Sequence, residues 1–376
     1  MLKIAVVPGD GIGPEVIAEG LKVLDALEDA GQLSTKRTEI DIGASRFLRS
    51  GELLPEKDLS TMRSQDAIYF GAIGDSRVPT GVLERGILLA MRSRLDQFVN
   101  VRPVRSWHDY SRLKDRPDFN ITFLRENTED FYLGAGGVLR GARSEASVRI
   151  ERNLYRLGID LRASSEPDGE YAFEIGLMSR EGVARFAEFV MSFAKRAGEK
   201  RVTVVDKANV CVELYGLWRE VFGEKAAHAG VELDFMFVDA MAMALVRSPG
   251  RFGVVATPNM FGDILTDLGA ELQGSLGLSA SGNVNPFGVS MFEPVHGSAP
   301  DIVGKRLANP FGAILAAGIM LDHLGRPDLK GLIEDCVLAV MKDGTVTPDL
   351  GGHAKTDEVG DAVVRRLEEG QRRVSS

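Results

Sequence analysis

Short apolar runs alternate with amphipathic helical stretches along nearly the whole chain, and this alternation limits the fold more than any other feature. Residues 2–7 read as a buried strand, and Pro14 to Ala30 as a helix with proline in its first turn. Asp66 to Ile73 is a second strand-like run. Gly81 to Phe98 carries helical periodicity, with Leu88, Met91, Leu95 and Phe98 on one side. Further strands are predicted at 99–105, 120–125, 201–205 and 252–256. Helices are predicted at 179–197, 212–228, 310–324, 329–342 and 357–370. In the first of these, Val183, Phe186, Ala187, Val190 and Ala194 share a face. Strands interleaved with helices predict an α/β fold with mostly parallel pairing.

Bulk properties narrow the function. A chain of 376 residues accommodates about two domains. A net charge of −9 leaves no basic footprint for nucleic acid. No apolar run reaches the ~20 residues needed to span a bilayer, and the opening residues 1–7 are too short for a signal peptide. The two cysteines, Cys211 and Cys336, have no metal-type spacing, so a reducing, cytoplasmic setting is expected.

Chemistry concentrates in a few segments. Pro258 to Asp267 holds two carboxylates, Asp263 and Asp267, four residues apart. On a helix both project from one face and suit Mg²⁺ or Mn²⁺. An isolated pair at this spacing is usually a solvated helix face. Here Phe261, Ile264, Leu265 and Leu268 surround it, and buried carboxylates need a cation or strong donors. Arg102 and Arg125 lie in strand-like runs poorly placed for solvation, and arginine forks carboxylates well. Lys207 sits between a valine-rich strand and Asn209. Asp239 lies in the apolar run Phe237 to Met243, which calls for a partner. The glycines 9, 11 and 13 follow a strand but lack the G-x-G-x-x-G spacing of a Rossmann fingerprint.

Taken in order, Pro8 to Glu15, Asn100 to Pro103, Arg125 to Glu129, Val205 to Val210, Pro258 to Asp267, Phe292 to Ile302 and Ala308 to Pro310 resemble the β-decarboxylating dehydrogenases, which act on isopropylmalate, isocitrate, homoisocitrate and tartrate or D-malate. The resemblance implies a two-domain, non-Rossmann fold. Residues 1–100 and 257–376 would form the cofactor- and metal-binding domain, with 101–256 inserted as a substrate and dimerisation domain. It implies a homodimer with shared active sites, and a metal bound by Asp239, Asp263 and Asp267. It assigns Arg92, Arg102 and Arg125 to the malate carboxylates and Tyr132 and Lys207 to acid–base work. Lys207, Asn209 and Asp239 would reach across from the second subunit. The dinucleotide would lie on Ile12, Glu293, His296, Gly297, Ser298, Ala299, Asp301, Ile302 and Asn309. Relatives that prefer NADP carry Lys-Tyr at the positions of Asp301 and Ile302, and a carboxylate repels a 2′-phosphate, so NAD is expected.

The substrate's third substituent should meet Glu84, Leu88, Leu89 and Val210. Leu88 cannot hold a third carboxylate, and no basic residue falls between Gly86 and Met91. The apolar wall points first to 3-isopropylmalate or a close 3-alkylmalate. Arg125 to Glu129 and Asp96 to Asn100 look more like the isocitrate, homoisocitrate and tartrate/D-malate branches, so D-malate or tartrate stands second. Homoisocitrate or isocitrate dehydrogenase comes third, and a non-catalytic regulatory subunit is the last reading. It requires the loss of clamp, lysine, tyrosine or carboxylates, all of which are present.

Overall fold

The computed structural model describes residues 1–115 and 117–375. Its centre is one ten-stranded sheet. The strands are β1 (Leu2–Gly9), β2 (Thr35–Glu39), β3 (Ala67–Ala72), β4 (Val99–Arg105), β5 (Asn120–Glu126), β10 (Arg201–Asp206), β11 (Glu232–Phe237), β12 (Val254–Thr257), β13 (Ala280–Val284) and β14 (Ser290–Pro294). They lie in the order β11-β10-β12-β5-β4-β13-β14-β3-β1-β2. Pairing is parallel at both ends and antiparallel across β5-β4-β13-β14 in the middle. β3, with the sequence AIYFGA, is buried at every residue, as a parallel strand covered on both faces must be. The remaining strands make two exposed ribbons: β6 (Gly136–Arg140) with β9 (Glu170–Glu174), and β7 (Arg143–Glu151) with β8 (Arg156–Ser164).

Helices cover both faces. The helix Arg180–Arg196 buries Val183, Phe186, Ala187, Val190 and Ala194. Ser179 caps its start by accepting the Gly182 N–H at 3.0 Å, and Lys195 and Arg196 complement the dipole at its end. The helix Phe311–His323 is buried at eleven successive residues and so runs through the interior rather than over it. Gly81 to Phe98 is not the continuous helix that its periodicity predicts. A π-helix spans Glu84–Leu89, an α-helical turn follows at Ala90–Arg94, and Asp96 (φ +51) turns the chain into β4. Four strands of the main sheet, β2, β11, β13 and β14, together with both ribbons, have no counterpart in the sequence reading.

Alternation along the strands separates four apolar clusters. Toward the β2 edge, one cluster takes Ile4, Val6, Tyr69 and Phe292, and the other takes Ala5, Val7, Phe70 and Met291. Toward the β11 edge, one takes Val101, Leu124, Val204 and Trp218, and the other takes Val104, Phe123, Val205 and Leu265. Each face therefore carries two clusters, and β4, β13 and β14 run between them. Trp218 is fully buried, with ring centroids 5.5 Å from Phe186 and 4.6 Å from Phe222. Trp218→Ala is expected to destabilise the protein by about 3–5 kcal/mol. Denaturant unfolding followed by circular dichroism checks this, and a midpoint equal to the parent's would contradict the packing described.

Candidate active site

On one face of β4 and β5, Arg102 and Arg125 point at the helix Asn259–Gln273. That helix lies close because it carries glycine where it crosses: a Cβ at Gly262 would come within 2.3 Å of Thr257 Oγ1 and 2.7 Å of Arg125 Cγ. Arg125 is 1 % exposed. Its Nε and Nη2 both donate to Asn259 Oδ1, at 2.9 and 2.6 Å, and its Nη1 contacts the Asp263 carboxylate. Arg102 Nη1 donates to Thr266 Oγ1 at 2.6 Å, and the guanidinium lies 3.4 Å from Asp263 and 3.6 Å from Asp267. Tyr132 donates its hydroxyl to Asp263 Oδ2 at 2.9 Å. Arg92, from the turn after the π-helix, reaches Glu293 Oε1 at 3.3 Å, where Asn283 Nδ2 also donates at 2.7 Å.

Three buried guanidiniums thus face a carboxylate pair and Glu293. Burial alone would raise the Asp263 carboxyl, but Arg125 and Arg102 more than offset this and hold it below the ordinary carboxylate range. Asp267, farther from the arginines, is raised by burial. Burial lowers Arg125 to about 10, and burial with Asp263 raises Tyr132 to about 12, so Tyr132 keeps its proton at neutral pH. Arg92 Nε and Arg102 Nε are buried donors with no partner among the described residues. Buried donors are normally satisfied, and an anionic ligand between the arginines would satisfy these. Arg94 turns away to Glu56, as its position two residues after Arg92 predicts.

Asp263 and Asp267 share a helix face, and Asp267 is largely open to solvent. Among the described residues no three His, Cys, Asp or Glu side chains gather into a metal cage. Two carboxylates that leave room for water and substrate oxygens still fit Mg²⁺, which commonly uses one or two carboxylates. Asp239 is not among them. Its apolar neighbours predict burial, but helix Val238–Arg247 begins one residue earlier and turns Asp239 to the exposed side of its first turn, while Met241 is buried. Asp239 accepts from Lys207 Nζ at 2.5 Å, and Lys207 holds its carboxyl below the ordinary range. Asn209 and Val210 are exposed beside this pair. No described contact joins this group to the arginine–Asp263 cluster.

The loop after β14 forms the other flank. Ile12 N–H donates to Ser298 O at 3.0 Å, and Gly11 (φ +60) has no room for a Cβ, which would lie 2.0 Å from that oxygen. Ala299 is left-handed (φ +41) and opens the short turn Pro300–Ile302, on which Asp301 is exposed with no ion pair among the described residues. Ile302 packs against the apolar cluster of Phe292. Gly297 has open space at its Cβ position. His296 Nδ1 lies 3.0 Å from Gly297 O, and burial lowers its pKa so that it is neutral. Asn309 is engaged at both ends, donating to Asp349 at 3.0 Å and accepting the Phe311 N–H at 3.0 Å. Glu84 accepts the Gly81 N–H at 3.0 Å, and Leu88 and Leu89 are half-buried on the π-helix.

Sequence reasoning missed Asn259, Thr266 and Asn283, which orient Arg125, Arg102 and Glu293. The first two fall on the Asp263 face at helical spacing, and that periodicity was the available signal. It also missed Asp130. This fully buried residue has φ +66, accepts the Met260 N–H at 2.9 Å and the Tyr215 hydroxyl at 3.3 Å, and so ties the Tyr132 turn to the start of the carboxylate helix.

The isocitrate/isopropylmalate dehydrogenase family matches residues 3–363. The 3-isopropylmalate dehydrogenase of Streptomyces griseus is 42% identical over 97% of this chain and 98% of its own length. That of Thermobifida fusca is 42% identical over 98% of each. Among solved structures, isocitrate dehydrogenase from Methylococcus capsulatus superposes with a TM-score of 0.82 at 34% identity, covering 98% of this chain and 99% of that one. The fold is therefore that of a β-decarboxylating dehydrogenase. The chain belongs to the isocitrate/isopropylmalate dehydrogenase family.

Asp130 provides a pH test. Burial raises its carboxyl to about 6, and burial likewise raises Glu126 and Glu129. Unfolded, an aspartate ionises near ~3.9, so the fold holds a proton that the unfolded chain releases. This stabilisation is complete below about pH 4 and is lost as pH rises through about 6. Asp130→Asn is expected to shrink the drop in unfolding free energy between about pH 4.5 and about pH 7 by roughly 2 kcal/mol. Urea unfolding at the two pH values measures it, and an unchanged pH slope would contradict the assignment.

Proposed function

We propose that this chain catalyses the metal-dependent oxidative decarboxylation of 3-isopropylmalate, or a close 3-alkylmalate, with NAD. The observation that carries the reading is the cluster of Arg92, Arg102 and Arg125 against Asp263, beside half-buried Leu88 and Leu89. The arginines bind the two malate carboxylates, and the leucines take the alkyl group. A methylene in such a pocket is worth only ~1–3 kcal/mol, so neighbouring 3-alkylmalates are expected to turn over as well. The family also contains isocitrate dehydrogenases, but Leu88 offers no hydrogen bond to a third carboxylate.

Asp263 and Asp267 would hold Mg²⁺ or Mn²⁺, which when bound polarises the hydroxyl and then the keto oxygen of the substrate. NAD supplies the hydride acceptor. Lys207 takes the hydroxyl proton. Tyr132 delivers a proton to the carbon that loses CO₂, and a tyrosine that stays protonated at neutral pH suits that role. Lys207, Asn209, Val210 and Asp239 serve the site of a second copy, which explains why they stand apart from the arginines within one chain. Exposed apolar side chains support a dimer: Val210, Val212, Met243, Val246 and Ile264 are each at least half exposed. Residues 1–100 with 257–376, and 101–256, are the two domains of this reading. Two unpaired cysteines suit a reducing, cytoplasmic setting.

The direct test is NADH formation with equal CO₂ release from 3-isopropylmalate, lost on chelation and restored by Mg²⁺ or Mn²⁺. Asp263→Asn is expected to lower kcat by ~10²-fold or more, the scale of removing one preorganised electrostatic contact. Full activity with unchanged metal dependence would overturn the metal assignment. The cofactor preference rests on Asp301, whose carboxylate rewards a ribose hydroxyl and repels a 2′-phosphate. The parent should favour NAD by about tenfold or more. Asp301→Lys with Ile302→Tyr should move the ratio of kcat/KM values toward NADP, chiefly through cofactor KM. A parent that uses both cofactors equally would mean that Asp301 does not face the ribose.

A further inference from the structure

A cavity of about 930 Å³ lies on the sheet face opposite the arginine cluster, between the helices Arg180–Arg196 and Phe311–His323. Its size is within the ~300–1,000 Å³ range of small-molecule sites. Its floor is built by the same strands that build the active site. On β4, Arg102 faces the active site and Val101 the cavity. On β13, Asn283 and Val284 divide in the same way, and on β14 so do Glu293 and Phe292. Gly282 makes the floor possible, because a Cβ there would meet the Phe292 ring at 2.9 Å. The cavity lies where two apolar clusters meet, one containing Phe292 and Ile319 and the other Phe98 and Val101. Phe189 and Phe193 extend its apolar wall, and Phe287, 92 % exposed, stands at the rim.

Charge identifies the occupant. Arg185 is paired through both nitrogens with Asp96, at 2.7 and 2.9 Å. Glu188 is paired with Lys225 at 2.6 Å, and Asp322 with Lys330 at 3.5 Å. His323 packs against Phe292 with the rings tilted by 49°, and burial disfavours its charged form. Arg196 forms no ion pair among the described residues and lies over the Phe193 ring, 5.8 Å from its centroid. Of the charged groups on the cavity wall, the one left without an ion pair is thus a guanidinium. We propose that this rear cavity is a regulatory site for an apolar-tailed monocarboxylate, its tail among Val101, Phe193, Val284 and Phe292 and its carboxylate on Arg196. Occupancy would bear on Val101, Val284 and Phe292, each one peptide from a residue of the substrate site. This coupling rests on the substrate reading above, whereas binding does not.

The test uses decanoate as probe, with decylamine as the cationic control. Equilibrium dialysis should show one saturable decanoate site per chain and no decylamine site. Arg196→Glu and Ser192→Trp, both at exposed positions on the helix, should weaken decanoate binding at least tenfold while basal turnover stays at the parent's level. Saturating decanoate should change KM for 3-isopropylmalate at least twofold in the parent and leave it unchanged in Ser192→Trp. The proposal is overturned by the absence of saturable binding, by binding that both variants retain, or by binding that leaves the parent's KM and kcat unchanged. A parent inactive on 3-isopropylmalate would count against the substrate reading, and dialysis would still decide the cavity.

Discussion

The contact between Arg125 and Asp263 is the interaction on which the rest of the site depends. Arg125 comes from an antiparallel strand in the middle of the sheet, and Asp263 from a helix laid across it. A guanidinium this deeply buried needs its counter-charge: removing one partner of a buried pair typically costs about 3–5 kcal/mol. The surroundings are arranged around this need. Asn259 accepts two of the guanidinium's hydrogen bonds, and Gly262 lets the helix come close enough. Tyr132 donates to the other carboxylate oxygen. Asp130 fixes both the helix start and the turn that carries Tyr132. In the proposed reading, substrate binding and structural integrity therefore draw on the same charges. The partnerless Nε donors of Arg92 and Arg102 are what remains for a ligand.

The pleat of the sheet gives this arrangement a second consequence. Apolar clusters meet along β4, β13 and β14 on both faces, and these strands contribute side chains to the clusters on each side. On one face the junction holds the arginines and carboxylates; on the other it is an aromatic cavity. Because successive residues of a strand alternate sides, the two junctions are separated by single peptide units. A change in side-chain packing on one face has little covalent distance to travel to the other.

Much of this was legible in the sequence. The α/β class followed from alternating apolar and amphipathic runs, and the pairing of Asp263 with Asp267 from helical spacing. Arg102 and Arg125 stood out because strand-like runs surround them, and Arg94 could be set aside by its angle from Arg92. Tertiary geometry was not legible. Nothing local marks Glu84–Leu89 as a π-helix, since its periodicity resembles an ordinary helix over so few residues. The ribbon β7–β8 does alternate, with Ala146, Val148 and Ile150 at every second position of one strand and Leu157, Ile159 and Leu161 of the other, and the sequence reading passed over this period-two signal. Asp239 is exposed in the single chain although its sequence neighbours are apolar, because neighbours in sequence need not be neighbours in space. Asn259, Thr266 and Asn283 carry no chemistry of their own, and their role is to orient arginines that only the fold brings to them.

The account's central claim is that the arginine cluster and the leucine wall together define a site for a malate with an alkyl third substituent. The most direct measurement is the ratio of kcat/KM for 3-isopropylmalate to that for isocitrate, determined with NAD and the same divalent cation. The account predicts a ratio well above one, on the order of a hundredfold or more, because Leu88 and Leu89 reward an alkyl group and leave a third carboxylate desolvated and unpaired. A ratio at or below one would contradict it, and would mean that the wall built by Glu84–Leu89 does not face the substrate's third substituent.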